Sequence, residues 1–242
     1  MKILIVRHGD PDYAIDGLTE IGKLEAELLS ERLVKENIPR VYCSTMGRAR
    51  LTAKPTLEKL GIEAEYFDFL REFSCTARPP YLEEPAGISW DLLPEYVNTV
   101  PELYSNTGWR DTEYVKSSDI AENYDRIVAE FDKLLARHGY EREGCSYRAA
   151  RPNHDTLVFV CHFGLSAVLI SHLMNCSPFS IWQNVCAAPT SVTTVYTEER
   201  REGIASMRIA SIGDVSHLYA AGREPSFAAR FCECYNDGTR RD

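Results

Sequence analysis

Short apolar segments of strand length alternate along this chain with longer segments of helical periodicity. Residues 3–7 and 156–161 are predominantly apolar runs, and residues 40–44 and 63–69 are two further segments of strand length. Continuous apolar runs are typical of strands that are buried on both faces, and their alternation with helices favours a parallel sheet. The pattern therefore predicts an α/β fold, a three-layer αβα sandwich whose central sheet is mostly parallel.

The segments between these strands carry apolar residues at helical spacing. One helix is predicted to begin after Thr19, its N-cap, with an apolar stripe of Ile21, Leu24, Leu28, Leu29 and Leu33. The clearest helix follows a predicted capping box that Asp119 and Glu122 form. Residues 139–155 are predicted to be a polar loop, and residues 191–197 and 206–212 are predicted to be two late strands.

Residues 74–117 differ in composition and periodicity from the rest of the chain. They are rich in proline, contain two of the three tryptophans, and show no clear period. Long irregular insertions are usually functional loops. We therefore predict a single domain over residues 1–242, with a lid insertion at about 74–117. Four residues of the insertion are candidates for ligand contacts, with loop packing as an equal alternative for each: Arg78, Trp90, Trp109 and Arg110.

Bulk properties exclude several classes of partner. The net charge of −9 argues against a nucleic-acid or anionic-membrane surface, so an anionic substrate would need a local positive pocket. No apolar stretch approaches the ~18 residues of a membrane span. The eight cysteines lack the spacing of zinc ligands, and no signal peptide is recognisable. We therefore expect a cytoplasmic protein with reduced thiols and without a bound metal ion.

Charged and imidazole side chains follow the predicted strands, at the point where each strand ends. In open α/β sheets, ligands bind outside the carboxyl ends of the strands. If the four strands are parallel neighbours, five side chains meet at one edge of the sheet: Arg7, His8, Arg48, Glu72 and His162. Taken singly, His162 would more often be a core histidine and Arg48 a solvated residue at the start of a helix. Their common placement favours a functional site.

This set of side chains suits phosphoryl transfer to a nitrogen nucleophile. A neutral imidazole can attack phosphorus in line, and arginines can bind the equatorial oxygens in a bidentate manner. A carboxylic acid can protonate the leaving oxygen. The positive charge of the arginines can replace the metal ion that many other phosphoryl-transfer enzymes use.

Five short motifs occur in a fixed order over residues 1 to about 174. They are Arg7-His8-Gly9, Leu18-Thr19-x-x-Gly22, Ser44-x-x-x-Arg48-Ala49-x-x-Thr52-Ala53, Leu70-x-Glu72 and His162-x-Gly164. Together they resemble the histidine phosphatase superfamily, and most closely its phosphoglycerate mutase-like branch. The resemblance implies the phosphoglycerate mutase-like fold, a small phosphorylated substrate and no cofactor.

The resemblance also implies roles for the matched residues. His8 would be phosphorylated during turnover, and Glu72 would donate a proton and then activate water. Arg7, His8, Arg48 and His162 would form a pocket that binds phosphate or sulfate. Two departures from the family pattern are Phe163, where many relatives have a second small residue, and Asp10-Pro11, which replaces an acidic residue followed by threonine.

The motifs favour one activity within the family, but they do not identify the substrate. The glycolytic mutases of the family carry a basic, tyrosine-containing signature after the acid, and residues 73–80 of this chain lack it. We therefore expect a metal-independent phosphatase for a small phosphate monoester. The alternatives are phosphoglycerate mutase-type phosphoryl transfer and an inactive binding or regulatory module. His217, after a late strand, is expected to be structural or to lie just behind the site, and the oligomeric state is not predicted.

Overall fold

A computed structural model of the chain describes residues 1–83, 88, 90–227 and 234. The strands are β1 (Lys2–Arg7), β2 (Pro11–Asp12), β3 (Gly17–Leu18), β4 (Arg40–Ser44), β5 (Ala64–Phe67), β6 (Tyr140–Glu143), β7 (Ser146–Ala149), β8 (Thr156–Cys161), β9 (Val192–Arg201) and β10 (Ile204–Asp214). The α-helices are α1 (Glu20–Leu33), α2 (Gly47–Leu60), α3 (Pro94–Val97), α4 (Glu113–Lys116), α5 (Ile120–Arg137), α6 (Phe163–Met174), α7 (Pro178–Trp182) and α8 (Ser216–Ala220). Three 3₁₀ turns lie at Asp68–Leu70, Pro101–Tyr104 and Gly108–Asp111.

Eight strands form one sheet in the order β5-β4-β8-β1-β9-β10-β7-β6. The first four are parallel neighbours, and the pairings from β1 to β6 are all antiparallel. Because β9 and β7 alone run against β1, six of the eight strands share one direction. The predicted mostly parallel sheet is therefore confirmed.

The side chains of the central strands alternate between two apolar cores. Ile3 and Ile5 lie in a core with α5 and α6, whereas Leu4 and Val6 lie in a core with α1 and α2. This alternation follows from the strand period of two residues. Helices therefore cover both faces of the sheet, and the predicted three-layer sandwich is confirmed.

The insertion at 74–117 packs onto the layer that contains α5 and α6. Ala77, Leu103 and Trp109 are buried in the same apolar core as the helices of that layer. Among its described residues, the regular structure consists of α3, α4 and two 3₁₀ turns, each four residues long. Segments this short produce no visible sequence period, which explains the irregular appearance of the insertion.

The predicted apolar stripe of α1 is partly wrong. The helix begins after Thr19, whose side chain accepts a hydrogen bond from Gly22 N, as predicted. However, Ile21 is 58% exposed and Leu24 is 39% exposed. Gly22 faces inward instead. Its backbone lies so close to the loop after β1 that a Cβ would be 2.2 Å from the carbonyl oxygen of Asp10. The close approach of α1 to the loop after β1 thus rotates Ile21 and Leu24 toward solvent.

Two other local predictions are also wrong. Residues 139–155 are not a loop throughout, because β6 and β7 form a hairpin in which Tyr140 and Tyr147 are buried. Asp119 occupies the N-cap position of α5, but its side chain forms no capping hydrogen bond. It accepts a hydrogen bond from Thr76 N at 2.8 Å instead. That bond ties the beginning of the insertion to the beginning of α5.

Among the residues described, no helix is both long enough and apolar enough to cross a membrane.

Candidate active site

His8 follows the last residue of β1 and is 2% exposed. Its Nδ1 lies 2.7 Å from the carbonyl oxygen of Gly9. A carbonyl oxygen can only accept, so Nδ1 carries the proton and Nε2 carries the lone pair. Burial, reinforced by the positive charge of Arg7, lowers the pKa of His8 to about 3. His8 is therefore a neutral imidazole at physiological pH, with its lone pair on Nε2.

Hydrogen bonds hold the backbone on either side of Gly9. The Gly9 N–H donates to Thr52 Oγ1 at 2.9 Å, and the His8 carbonyl accepts from Thr190 N at 3.1 Å. The next N–H, from Asp10, donates to Glu25 Oε2 at 2.8 Å. Gly9 itself has no room for a side chain, since a Cβ would lie 2.8 Å from a backbone oxygen of α1. The loop that carries His8 is consequently fixed.

His162 follows β8 and is fully buried. Its ring centroid lies 5.1 Å from that of His8, and the two ring planes are inclined by 58°. Its Nε2 lies 2.9 Å from Ser44 Oγ, and its Nδ1 is buried without a hydrogen-bond partner among the described residues. Burial holds the pKa of His162 well below its ordinary value, and His8 and the two arginines lower it further. An anion bound between the histidines would supply a partner for this nitrogen.

Two buried arginines lie beside the histidines. Arg7 Nη1 donates to the carbonyl oxygen of Ala187 at 2.5 Å. Arg48, in the first turn of α2, donates from Nη1 to Asp16 Oδ1 at 2.6 Å. The other oxygen of Asp16 accepts from Gly47 N at 2.7 Å. Because Asp16 occupies Nη1, and Nε of Arg48 is buried without a described partner, the guanidinium retains donors for an oxyanion.

Glu72 lies just beyond the 3₁₀ turn that follows β5, and one of its oxygens is fixed by the backbone. Oε1 accepts from Phe73 N at 2.9 Å and from Leu165 N at 3.1 Å. Burial raises the pKa of Glu72, although these hydrogen bonds and the charges of Arg7 and Arg48 act in the opposite direction. The carboxyl group can thus hold a proton at higher pH than an exposed glutamate. Oε2 is the oxygen that can carry it.

The insertion reaches this acid through Trp90. A Cβ on Gly164 would lie 2.6 Å from Nε1 of Trp90 and 2.8 Å from Oε1 of Glu72. Gly164 must therefore lack a side chain for the indole and the carboxyl group to meet at the start of α6. The Phe163 ring lies between the same indole, at 5.4 Å, and the Arg7 guanidinium, at 5.9 Å. Phe163, a departure from the family pattern, thus forms an aromatic wall of the site.

The five side chains singled out from the sequence lie at one edge of the sheet. They follow β1, β4, β5 and β8, which are the four parallel neighbours. Two other residues noted in the sequence lie next to this set. Asp10 accepts from Thr19 Oγ1 at 2.6 Å, and His217 lies behind the site with Nε2 3.1 Å from Thr190 Oγ1.

The other three candidates from the insertion do not contact the pocket in the same way as Trp90. Arg78 is exposed and lines a separate cavity of about 530 Å³ with Tyr96. Arg110 binds Asp125 through both terminal nitrogens and covers the Trp109 ring at 4.5 Å. That group lies beside the C-terminal end of α6, about 15 Å from His162 along the helix axis.

Sequence reasoning did not identify Asp16, Glu25 or Thr190 as part of this region. Asp16 and Thr190 have left-handed backbone conformations, with φ of 48° and 55°. Non-glycine residues in this region are uncommon and have no dependable sequence signal. The contacts of all three are also distant in sequence. Among the described residues, no group of three or more His, Cys, Asp or Glu side chains is arranged to hold a metal ion.

The chain is similar to known proteins over most of its length. The family model of the histidine phosphatase superfamily (branch 1) matches residues 3–210. A probable phosphatase of Schizosaccharomyces pombe is 25% identical over 233 residues, which cover 90% of this chain and 95% of that protein. The mitochondrial serine/threonine-protein phosphatase Pgam5 of Caenorhabditis briggsae is 28% identical over 225 residues, covering 90% of this chain and 64% of that protein.

A solved structure extends the comparison to the fold. Phosphoserine phosphatase from Entamoeba histolytica, in complex with 3-phosphoglyceric acid, superposes with a TM-score of 0.60 at 18% identity. The match covers 90% of this chain and 98% of that chain. These similar proteins are all named phosphatases.

Proposed function

We propose that this chain, which belongs to the histidine phosphatase superfamily, is a metal-independent phosphatase that hydrolyses a small phosphate monoester through a phosphohistidine intermediate. His8 is the nucleophile, and Glu72 acts first as general acid and then as general base. Arg7, Arg48 and His162, together with His8, bind the phosphoryl group.

One observation carries the proposal: the hydrogen bond of 2.7 Å from Nδ1 of His8 to the Gly9 carbonyl oxygen. It fixes the tautomer whose lone pair is on Nε2. The low pKa of His8 keeps that lone pair unprotonated throughout the physiological range. A surface histidine would have neither a defined tautomer nor two buried arginines beside it.

The first chemical step transfers the phosphoryl group to His8. Nε2 attacks phosphorus, a P–N bond forms, and the bond between phosphorus and the ester oxygen breaks. Glu72 gives its proton to the departing oxygen, so the product leaves as a neutral alcohol. Arg7 and Arg48 offset the negative charge of the non-bridging oxygens, which supports chemistry without a divalent cation.

The second step regenerates the enzyme. A water molecule attacks the phosphorus of phospho-His8, and the ionised Glu72 carboxylate accepts a proton from it. The P–N bond breaks, and inorganic phosphate and neutral His8 remain. Glu72 is protonated again, so the two steps together consume one water molecule and leave the protein unchanged.

A small phosphate ester is the substrate class we favour. The Entamoeba histolytica phosphatase that shares this fold binds 3-phosphoglyceric acid, a small carboxylated ester. The aromatic walls that Phe163 and Trp90 form beside the pocket also support a compact leaving group. Hydrolysis is favoured over mutase-type transfer because residues 73–80 lack the basic, tyrosine-containing signature of the mutases.

Two further elements complete the proposal. Residues 1–242 form a single domain in which the insertion at about 74–117 is a lid, as the close approach of both Trp90 and Glu72 to Gly164 supports. The protein acts in the cytoplasm, a reducing compartment; Cys43, Cys145, Cys161 and Cys176, which form no disulfide, are consistent with that setting.

Turnover of an aryl phosphate in buffer with a strong chelator tests the proposal. We expect activity in the chelator, loss of activity in His8→Ala, and normal activity in the matched control His154→Ala, whose histidine is exposed. Activity that needs a divalent ion, or that survives in His8→Ala, would overturn the proposal. Turnover that requires a bisphosphoglycerate primer would identify the mutase instead.

A further inference from the structure

His217 lies on α8, and a single residue links it to the proposed nucleophile. Its Nε2 is 3.1 Å from Thr190 Oγ1, and Thr190 N donates to the His8 carbonyl oxygen at 3.1 Å. All three residues are buried. The three are far apart in sequence, and the mechanism above uses only His8.

The hydrogen bonds of Thr190 define which group is the donor. Its hydroxyl donates to the Pro189 carbonyl oxygen at 2.8 Å, so it has no second proton to give to His217. His217 must therefore donate from Nε2. Burial and the nearby Arg32 lower the pKa of His217 to about 4, so the ring is neutral and its buried Nδ1 has no proton. His217 thus acts as a single hydrogen-bond donor that is directed at Thr190.

Thr190 needs such support because its backbone is in an unfavourable conformation. Its φ of 55° lies in the left-handed region, where a β-branched residue is an outlier. Such conformations persist only where the surrounding structure holds them, and they are concentrated at functional sites. The donor from His217 and the acceptor from Pro189 hold the side chain from two sides.

Thr190 in turn holds the peptide bond between His8 and Gly9. Thr190 N binds the carbonyl of this peptide, and Thr52 Oγ1 binds its N–H at 2.9 Å. Rotation of this peptide would move the Gly9 carbonyl that orients Nδ1 of His8. We propose that His217 is a positioning residue which, through Thr190, keeps Nε2 of His8 aimed at the phosphoryl group. This inference rests on the proposed role of His8 as nucleophile.

α8 does not need His217 in order to pack against the rest of the protein. Arg32 of α1 forms a salt bridge of 2.8 Å with Asp214, two residues before the helix, and Leu218 is fully buried. The polar side of His217 faces Thr190, and its second nitrogen forms no hydrogen bond among the described residues. Replacement by leucine therefore removes one hydrogen bond and leaves the other anchors of α8 in place.

Three substitutions of His217 separate a positioning role from a packing role. The amide nitrogen of glutamine overlies Nε2 of histidine, whereas that of asparagine overlies Nδ1. We expect kcat to fall about tenfold in His217→Leu and His217→Asn with KM unchanged, less than the ~10²-fold loss that a 1 Å misplacement can cause. His217→Gln should restore most of the loss. Tyr219→Leu, an exposed change on the same helix, is the control and should match the wild type.

The ¹⁵N resonances of the His8 imidazole provide a direct readout. The wild type should show the tautomer protonated at Nδ1, and His217→Leu should show a mixture of tautomers. If His217→Leu does not fold, Thr190→Val and Thr190→Ser make the same comparison, since only serine keeps the hydroxyl; serine should retain activity and valine should lose it.

Equal kcat in His217→Leu and the wild type, or equal loss in the glutamine and asparagine variants, would overturn the inference. Equal kcat in Thr190→Val and Thr190→Ser would overturn it as well. An active His8→Ala variant would instead overturn the proposed function on which the inference depends. The two failures are therefore distinguishable.

Discussion

The pocket at the strand ends and the insertion at 74–117 are built on different physical principles. In the pocket, hydrogen bonds fix the side chains, as the Gly9 carbonyl fixes Nδ1 of His8 and Leu165 N fixes Oε1 of Glu72. In the insertion, aromatic side chains pack on one another, as Tyr96 packs on Tyr114 with ring centroids 6.0 Å apart. Substitutions in the two regions should therefore have different effects: in the pocket on the orientation of reacting groups, and in the insertion on apolar packing.

The two regions meet at Gly164, where Trp90 and Glu72 both approach the backbone. Chemistry and substrate selection should therefore be separable by mutation everywhere except at this contact.

Glu72→Gln should lower kcat for alkyl phosphates by about 10²–10⁴-fold with little change in KM, because glutamine cannot donate a proton. The loss should be smaller for an aryl phosphate, since a phenolate leaves without protonation.

The raised pKa of Glu72 also predicts that kcat of the wild type falls as pH rises through that pKa, because the proton needed by the leaving group is then lost. Profiles of kcat against pH, measured in discontinuous assays, should show this alkaline decrease in the wild type and not in Glu72→Gln.

Arg48→Lys should lower kcat/KM for all substrates by the order of 10²-fold, as for the loss of one transition-state donor. Lysine keeps the charge but not the planar set of donors, and its ammonium group would be drawn to Asp16. Arg50→Lys, an exposed change two residues away on the same helix, is the matched control. If both variants were equally active, Arg48 would not bind the phosphoryl group in a bidentate manner.

Acid should lower the free energy of unfolding, because the buried histidines of the pocket are neutral in the folded protein. The unfolded chain takes up a proton on His8 as pH falls through ~6.5, whereas the folded chain does so only near the lowered pKa of about 3. Stability is therefore full above ~6.5 and falls below it, with a loss from His8 alone of about 2 kcal/mol at pH 5. Urea unfolding at pH 7 and pH 5 should show a smaller loss in His8→Gln than in His154→Gln.

The smallest effects should come from the insertion, and they should differ between Trp90 and Arg110. Trp90→Ala exposes Glu72 to water, so kcat/KM should fall roughly tenfold and the alkaline decrease should move to lower pH. Arg110→Ala, which breaks a surface pair with Asp125, should leave both unchanged. An equal shift of the pH profile in the two variants would contradict the separation of the regions.

The same division explains what could be predicted from the sequence. β1 and β8 were predictable because strands buried on both faces are continuous apolar runs, and the residues that follow them are the motif residues. The hairpin of β6 and β7 was not, because each strand has only four residues and most of them are polar. The inward face of α1 depends on the contact of Gly22 with Asp10, which no periodicity reveals.

Within the site, the motif residues were predictable and their supports were not. His8, Arg48 and His162 belong to local patterns with fixed spacing. Asp16 and Thr190 act through contacts that depend on the finished fold and on left-handed backbone conformations. Such residues become visible only when the hydrogen bonds of the loop after β1 are traced one by one.

Trapping the phosphorylated enzyme tests directly whether His8 is the nucleophile. Rapid mixing with a ³²P-labelled phosphate ester, followed by a denaturing quench, should give an acid-labile and base-stable phosphoprotein. Peptide mapping should place the label on His8, and Glu72→Gln should accumulate more of it with an aryl ester, because hydrolysis of the intermediate is slowed. Label on another residue, or full turnover with no label on His8 under any quench, would contradict the account.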